Sequence, residues 1–157
     1  MLSRRLLRIK VAKNLYAHLK SDSTNLKASE KNLIASIDKA YDLYFQMMSL
    51  IVEVARYAES RQELAKQKKL PTYEDLNPNR RFVDNAVIAL INNSESVNDE
   101  IATRKISWAN NYDIVKDIYN RMLEADYYKK YMEAPISTFT DDRKFVEAFF
   151  TALDQDE

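Results

Sequence analysis

The absence of glycine is the feature of this 157-residue chain that most restricts its fold. Tight β-hairpins usually place glycine where the backbone φ angle is positive, so a sheet built from such hairpins is disfavoured. The chain also has only three prolines, so few positions interrupt a helix. We therefore predict an all-α fold, a multi-helix bundle in which asparagine takes the left-handed positions that end helices. The candidates form two pairs: Asn92 with Asn93, and Asn110 with Asn111.

The spacing of apolar residues predicts one long central helix. It begins at Leu26 or Ser29 and ends near Lys69, just before a proline. Two neighbouring apolar stripes run along it, which indicates packing on more than one face. A shorter first helix extends from the cap residue Ser3 to about Lys20. The other predicted helices run from Asn77 and Pro78 to about Ile91, from about Ser96 to Thr103, from about Asn111 to Met132, and onward from a cap at Thr140, Asp141 and Asp142.

The composition excludes several classes of functional site. Without cysteine the chain has no disulfides, no thiolate catalysis and none of the common zinc sites. Without glycine it has no glycine-rich phosphate loop. The single histidine, His18, lies near the end of the first helix, where a surface or partly buried role is more usual than catalysis. Asp141 and Asp142 are typical first-turn partners of a helix dipole. We therefore predict a protein that is not an enzyme and holds no metal or cofactor.

Size and hydropathy predict one domain that does not enter a membrane. A chain of 157 residues with 46% apolar residues suits a single helical domain over 1–157 with a real core. Its longest uncharged apolar stretch, 43–52, is about half the length that a bilayer needs. The basic start lacks the continuous apolar run and cleavage site of a signal peptide. We predict a cytoplasmic, soluble protein.

The start of the chain is strongly basic. Its first twenty residues include six basic residues and no acidic one, although the whole chain balances 24 of each. At about 100° per residue, Arg4 and Arg8 share one stripe of the helix with Val11, Leu15 and Leu19. This stripe predicts that the C-terminal half packs in a core while the first turns project guanidinium groups. Such groups bind phosphate oxygens, so the residues leave two interpretations open: a site for RNA or another anion, or a solvated cluster of internally paired arginines.

Three other segments combine basic with aromatic or polar residues. They are Arg80 with Arg81, Arg104 and Lys105 near Trp108, and the run YYKKYM at 127–132. Tyrosines in the last segment have the chemistry to stack on unpaired bases. We interpret all three as structural segments whose charged groups are solvated.

The segment RRLLRIKVAKNLYA resembles the opening helix of the NusB family of bacterial transcription antitermination factors. The resemblance lies in the pair Arg4 and Arg5, in a third basic residue, Arg8, and in the Leu-Tyr-Ala run at 15–17. It implies an all-helical protein that binds boxA-type RNA together with the ribosomal protein NusE, as part of a transcription antitermination complex. Later segments, KISWANN among them, resemble the helical region of an enlarged version of the family.

The resemblance also implies roles for individual residues. Leu15 and Tyr16 become core anchors of the first helix. RNA contact falls on its basic residues: Arg4, Arg5 and Arg8, assisted by Lys10 and Lys13. The C-terminal signature of the family, a Leu-Arg run followed by Lys-Phe-Val-Asn-Gly, does not occur. The chain is therefore predicted to be the N-terminal portion of a longer NusB-like protein.

Two other classes of function remain open at this stage. The first is a helical protein-interaction module that binds no RNA and docks a partner around Glu59–Lys69 or on the segment RKISWAN. The second is a structural module that supports another part of a larger protein. An exposed apolar patch or self-association would favour the structural module.

Overall fold

The computed structural model describes residues 3–21, 25–136 and 138–155, and these residues form helices and connecting segments without a strand. The predicted all-α multi-helix fold with one long helix is confirmed. Within these ranges lie eight α-helices and a 3-10 turn at Ala109–Asn111. The helices are α1 Arg4–Lys20, α2 Leu26–Lys66, α3 Tyr73–Leu76, α4 Ala86–Asn93, α5 Glu95–Thr103, α6 Tyr112–Glu124, α7 Asp126–Glu133 and α8 Phe139–Gln155.

The chain divides into two compact units, Met1–Gln46 and Met47–Glu157. The first, unit 1, contains α1 and the first half of α2. The second, unit 2, contains the rest of α2 and all later helices. The single-domain organisation stays a prediction.

Unit 2 has a buried hydrophobic core. In α2 the consecutive residues Leu50, Ile51 and Val52 are all buried, so this part of the helix is covered on more than one side, as its two apolar stripes predict. The same stripes continue into unit 1, where Leu43 and Tyr44 are exposed. Other elements complete the core with Phe82, Ile88, Val115, Ile118, Met122, Tyr131, Phe145, Val146 and Phe149.

Local capping explains the first helices. The Ser3 hydroxyl accepts a hydrogen bond from the Leu6 N–H at 3.2 Å, so α1 begins where the sequence predicts. The Asn25 side chain accepts from the Ala28 N–H at 3.1 Å at the start of α2, and α2 ends at Lys66, three residues before the predicted end. The one-turn helix α3 has a capping box on Thr72 that the sequence analysis missed.

The predicted helix start at Pro78 is wrong. Residues 78–85 form an irregular segment and turns, and α4 begins at Ala86. Asn85 is the cap because its side-chain oxygen accepts from the N–H groups of Val87 and Ile88 at 2.9 and 3.1 Å. The segment before Asn85 is held by contacts with residues distant in sequence. The local pattern of Asn followed by Pro cannot predict such contacts.

The predicted helix over 111–132 is divided in two. Ala125 has an extended backbone, with ψ 138°, and separates α6 from α7. No glycine or proline marks this position, so the sequence carries no local signal for the break. The last helix begins at Phe139 rather than after Thr140, because the Thr138 hydroxyl accepts from the Asp141 N–H at 3.2 Å.

A lysine ends α5 in the left-handed conformation. Lys105, with φ 54°, is the one described residue with a positive φ angle, so the prediction that asparagines take such positions is wrong. The N–H of Lys105 donates to the Ala102 carbonyl at 3.1 Å, and the N–H of Ile106 donates to the Ile101 carbonyl at 3.0 Å. This pair of hydrogen bonds is a Schellman ending, and it requires a positive φ angle at Lys105 whatever side chain stands there.

A buried polar network joins α4, α7 and α8 in unit 2. The Asp142 carboxylate, on a residue that is 5% exposed, accepts from the Tyr131 hydroxyl at 2.7 Å and from the Ala86 N–H at 2.9 Å. The Asn85 amide donates to the Tyr131 hydroxyl at 3.0 Å. The Tyr131 ring stacks on the Phe145 ring, with the two ring centroids 4.4 Å apart. The three helices are therefore held by hydrogen bonds inside a low-dielectric core.

We expect Asp142→Ala to lower the free energy of unfolding by about 2–4 kcal/mol, because it leaves two buried donors without this acceptor. The measurement is urea denaturation followed by circular dichroism. Asp141→Ala is the matched control, since the neighbouring carboxylate accepts hydrogen bonds from the exposed Thr138 at the start of α8. An equal loss of unfolding free energy in both variants would contradict the prediction that the buried carboxylate of Asp142 contributes more than the carboxylate of Asp141.

We expect Lys105→Gly to raise the free energy of unfolding by about 0.5–1 kcal/mol, because glycine adopts positive φ angles without steric cost. Thermal denaturation provides the measurement. Lys105→Ala removes the same charge but keeps the β-carbon, so it should give no gain. A gain of the same size in the alanine variant would trace the effect to charge instead.

Candidate nucleic-acid interface

The helices of unit 1 are joined by polar contacts along one face of α1. The Lys10 ammonium donates to the Ser36 carbonyl at 2.6 Å, and the Asn14 amide donates to the Ser29 carbonyl at 2.7 Å. One turn further along, His18 Nδ1 lies 2.8 Å from the Ser29 hydroxyl. Lys10, Asn14 and His18 recur every four residues, so they form a single face of α1. Later residues of α1 contact earlier residues of α2, so α1 runs antiparallel to this part of α2.

This arrangement corrects the predicted core anchors. Leu15 and Tyr16 are 54% and 65% exposed, and Leu19 is 81% exposed, so the predicted packing of the C-terminal half of α1 in a core is wrong. No residue of α1 that the structure describes is buried. The stripe of Arg4, Arg8 and Leu15 is centred about 100° around α1 from the polar contacts, so it is not the face that meets α2. A helical wheel shows which residues share a stripe, but not which stripe meets a neighbouring helix.

The three arginines are exposed at the start of α1. Arg4, Arg5 and Arg8 lie within about 100° of arc over the first two turns. None of the three forms an ion pair with another residue in the described part of the chain. The alternative of an internally paired cluster therefore finds no support among these residues. The first turn also lacks an acidic residue, so no side chain there opposes the positive end of the helix dipole.

The two predicted assisting lysines differ in their surroundings. Lys13 is exposed, and among the described residues no carboxylate pairs with it. Lys10 is half-buried, and its ammonium is engaged with the Ser36 carbonyl. Lys10 therefore stabilises the helix pair, whereas Lys13 resembles the arginines in being available to a ligand.

Charge is unevenly divided between the two units. Residues 1–46 contain nine basic and four acidic residues, a net charge of +5. Residues 47–157 contain fifteen basic and twenty acidic residues, a net charge of −5. A polyanion is therefore attracted to unit 1 although the whole chain is neutral.

Arg80 and Arg81 of unit 2 are engaged in internal contacts. Arg80 pairs with Glu59 at 2.9 Å and with Asp84 at 3.0 Å, and its hydrogen bonds to Asp84 and then Glu59 raise its pKa. Arg81 donates to two main-chain carbonyls that follow α7, and its guanidinium lies 4.6 Å from the centre of the Tyr131 ring. Both arginines fasten the segment before α4, in agreement with a structural interpretation.

The tyrosines of segment 127–132 belong largely to the core. Tyr131 is buried, and burial raises the pKa of Tyr128 to about 12. Lys129 and Lys130 are exposed on the same helix. The structural interpretation of this segment, with packed rings and solvated lysines, agrees with these positions.

The segment RKISWAN borders a cleft of about 460 Å³ within unit 2. Its apolar lining includes Val52, Ile101 and Trp108, and the Trp108 indole donates to the Ser49 hydroxyl at 3.0 Å. At the rim, Arg56 donates to Glu53 and to the Asn92 side chain at 2.6 and 2.7 Å. The sequence analysis noted this segment for its charges, whereas the cleft depends on helices distant in sequence.

Across the described residues, the histidine and carboxylate side chains form no group of three that could hold a metal ion. None of the described helices combines the length and apolar character needed to cross a bilayer. The Thr138 hydroxyl lowers the pKa of Asp141 by hydrogen bonding, which accounts for that acid as a capping residue. Asp142 instead lies in the buried network.

We expect Leu15→Ala to change the free energy of unfolding by less than about 0.5 kcal/mol, because the side chain is exposed. The same substitution at Leu50, which is 2% exposed, should cost about 2–5 kcal/mol. Urea denaturation of the two variants checks the corrected orientation of α1. Equal losses would show that Leu15 is a core anchor after all.

Comparisons of the chain with protein-family models, curated proteins and solved structures found no match. The NusB resemblance therefore rests on the residues of α1, and the positions of those residues in the structure carry the functional proposal.

Proposed function

We propose that this protein binds single-stranded RNA through the first half of α1, with Arg4, Arg5, Arg8 and Lys13 contacting phosphates. The observation that carries the proposal is the exposure of three neighbouring arginines without an ion-pair partner in the described chain. An exposed cluster of like charges is unfavourable by itself and becomes favourable when a polyanion binds. The surplus of basic residues in unit 1 acts in the same direction.

The contacts between α1 and α2 support this role. The hydrogen bonds of Lys10, Asn14 and His18 hold a different face of the helix, so the arginines extend from a supported element. Less conformational entropy is lost when such side chains bind. The guanidinium group offers a planar fork of donors that fits phosphate oxygens.

The resemblance to NusB makes the proposal more specific. Arg4, Arg5 and Arg8 are the residues to which that resemblance assigns RNA contact. On this basis the RNA is of the boxA type, NusE is a protein partner, and the process is transcription antitermination or termination in the cytoplasm. Lys10 has a smaller part in the proposed contact because its ammonium already binds Ser36.

A second candidate function is a protein-interaction module that binds no RNA. The cleft beside Trp108 supports it, because concave apolar surfaces with a few polar groups are where ligands and partner side chains bind. Lys105, with its positive φ angle, directly precedes Ile106, which lines this cleft. Residues with strained backbone angles often occur at functional sites. On this reading Trp108→Ala would abolish partner binding while Arg4→Gln would not affect it.

The test of RNA binding is fluorescence anisotropy with a boxA-type strand and a scrambled strand at two salt concentrations. We expect Arg4/Arg5/Arg8→Gln to weaken binding at least about tenfold and to reduce the salt slope by about two, since each phosphate contact to single strands contributes roughly 0.7. The matched control removes three exposed lysines of α2 in the same unit: Lys27, Lys31 and Lys39, each replaced by Gln.

The control separates a located site from general attraction. If the two triple variants lose affinity equally, net charge alone binds the RNA and the proposed site is wrong. If the folded wild-type chain binds neither strand, RNA binding by this chain is excluded and the interaction module becomes the better proposal. Preference for the boxA-type strand that disappears with the arginines supports the NusB-like function.

A further inference from the structure

The second half of α1 presents an exposed apolar surface made of Val11, Leu15, Tyr16 and Leu19, here termed the apolar half. These side chains are 39%, 54%, 65% and 81% exposed. Single exposed apolar residues are normal, but a contiguous set on one helix marks a surface that another molecule covers. We propose that the apolar half docks an amphipathic helix of a partner protein, with acidic residues flanking its apolar stripe.

The spacing of the surface fits a helix as the partner. Val11, Leu15 and Leu19 follow one another at four-residue steps, so they form a continuous stripe about two turns long. A stripe of this kind packs against the stripe of a second helix, with side chains of one helix between those of the other. Tyr16 lies beside the stripe and adds a ring whose hydroxyl can remain in water.

The surrounding charges specify an acidic partner. Lys13 and Lys20 lie near the edge of the apolar half on the Tyr16 side, and both are exposed. The helix contains no acidic residue over Arg4–Lys20. Aspartate or glutamate beside the partner's apolar stripe would meet these lysines, which favours association and its correct orientation. A second copy of α1 would instead bring like charges together.

The distribution of charged and apolar residues along the axis of α1 argues against a lipid surface as the binding partner of the apolar half. A helix that lies on a membrane keeps its apolar and polar residues on separate faces along its whole length. Here Arg4 and Arg8 continue the same stripe as Leu15 and Leu19, so the charged and apolar regions follow each other end to end. Such a division suits a compact partner that covers only the second half of α1.

This inference goes beyond the proposed RNA binding and uses different residues apart from Lys13, which takes part in both proposals. RNA contact is assigned to basic residues of α1. The proposed protein partner instead contacts leucine side chains, which offer phosphate no hydrogen bond. The two proposals therefore fail separately: Arg4/Arg5/Arg8→Gln tests the first, and Leu15/Leu19→Gln tests the second. Glutamine keeps helix propensity close to that of leucine, so both variants should stay folded.

The probe is a fluorescent synthetic helix of about three heptads with leucine at the two core positions and glutamate at the flanking positions. Anisotropy measures its binding to the full chain. We expect saturable binding that Leu15/Leu19→Gln weakens at least about tenfold. Leu64/Leu70→Gln is the matched control, because it removes two leucines that are 61% and 89% exposed elsewhere in the chain and should leave the affinity unchanged.

A second peptide with lysine in place of glutamate tests the charge requirement, and we expect it not to bind. The proposal is overturned by equal binding of both peptides, by no binding of the acidic peptide, or by equal losses in the two leucine variants. It is also overturned if light scattering shows a dimer that Leu15/Leu19→Gln dissociates, or if vesicles containing anionic lipid compete for the apolar half. In those cases a second copy or a membrane covers the surface.

Discussion

The carboxylate of Asp142 is the group on which the arrangement of unit 2 depends most. Buried among apolar side chains, it accepts hydrogen bonds from Tyr131 on α7 and from the first residue of α4. A buried carboxylate is stable only when its hydrogen-bond partners are correctly placed, and these partners come from two other helices, α4 and α7. The network joins the start of α4 to α7 and α8, and Asn85 connects it to the cap of α4.

Unit 1 is held together by a different kind of contact. Its two helices meet through the half-buried polar residues Lys10, Asn14 and His18 rather than through a deep apolar core. The faces of α1 outside this contact are consequently left for arginines near the start of the helix and for apolar side chains further along it. This end-to-end division explains how one helix can combine three arginines with leucines, and it supports separate proposals for RNA and for a protein partner.

The local parts of the fold were predictable, and the tertiary parts were not. Ser3 marks the start of α1 because a cap depends on residues within one turn. The predicted helix start at Pro78 was wrong because the segment after it is held by contacts with distant residues, such as the ion pair of Arg80 with Glu59. For the candidate site, the sequence indicated Arg4 and Arg8, but the distinct role of Lys10 depends on Ser36, 26 residues further along the chain.

The sequence by itself determined that this protein is helical and that its basic residues gather at the start of the chain. Both properties depend on residue type and short spacing: the lack of glycine disfavours tight hairpins, and side chains four residues apart share a helix face. Only the tertiary structure decided that Leu15 faces outward and that Asp142 is buried. The reason is physical: burial and hydrogen-bond partners arise between segments far apart in sequence, where no local pattern records which surfaces meet.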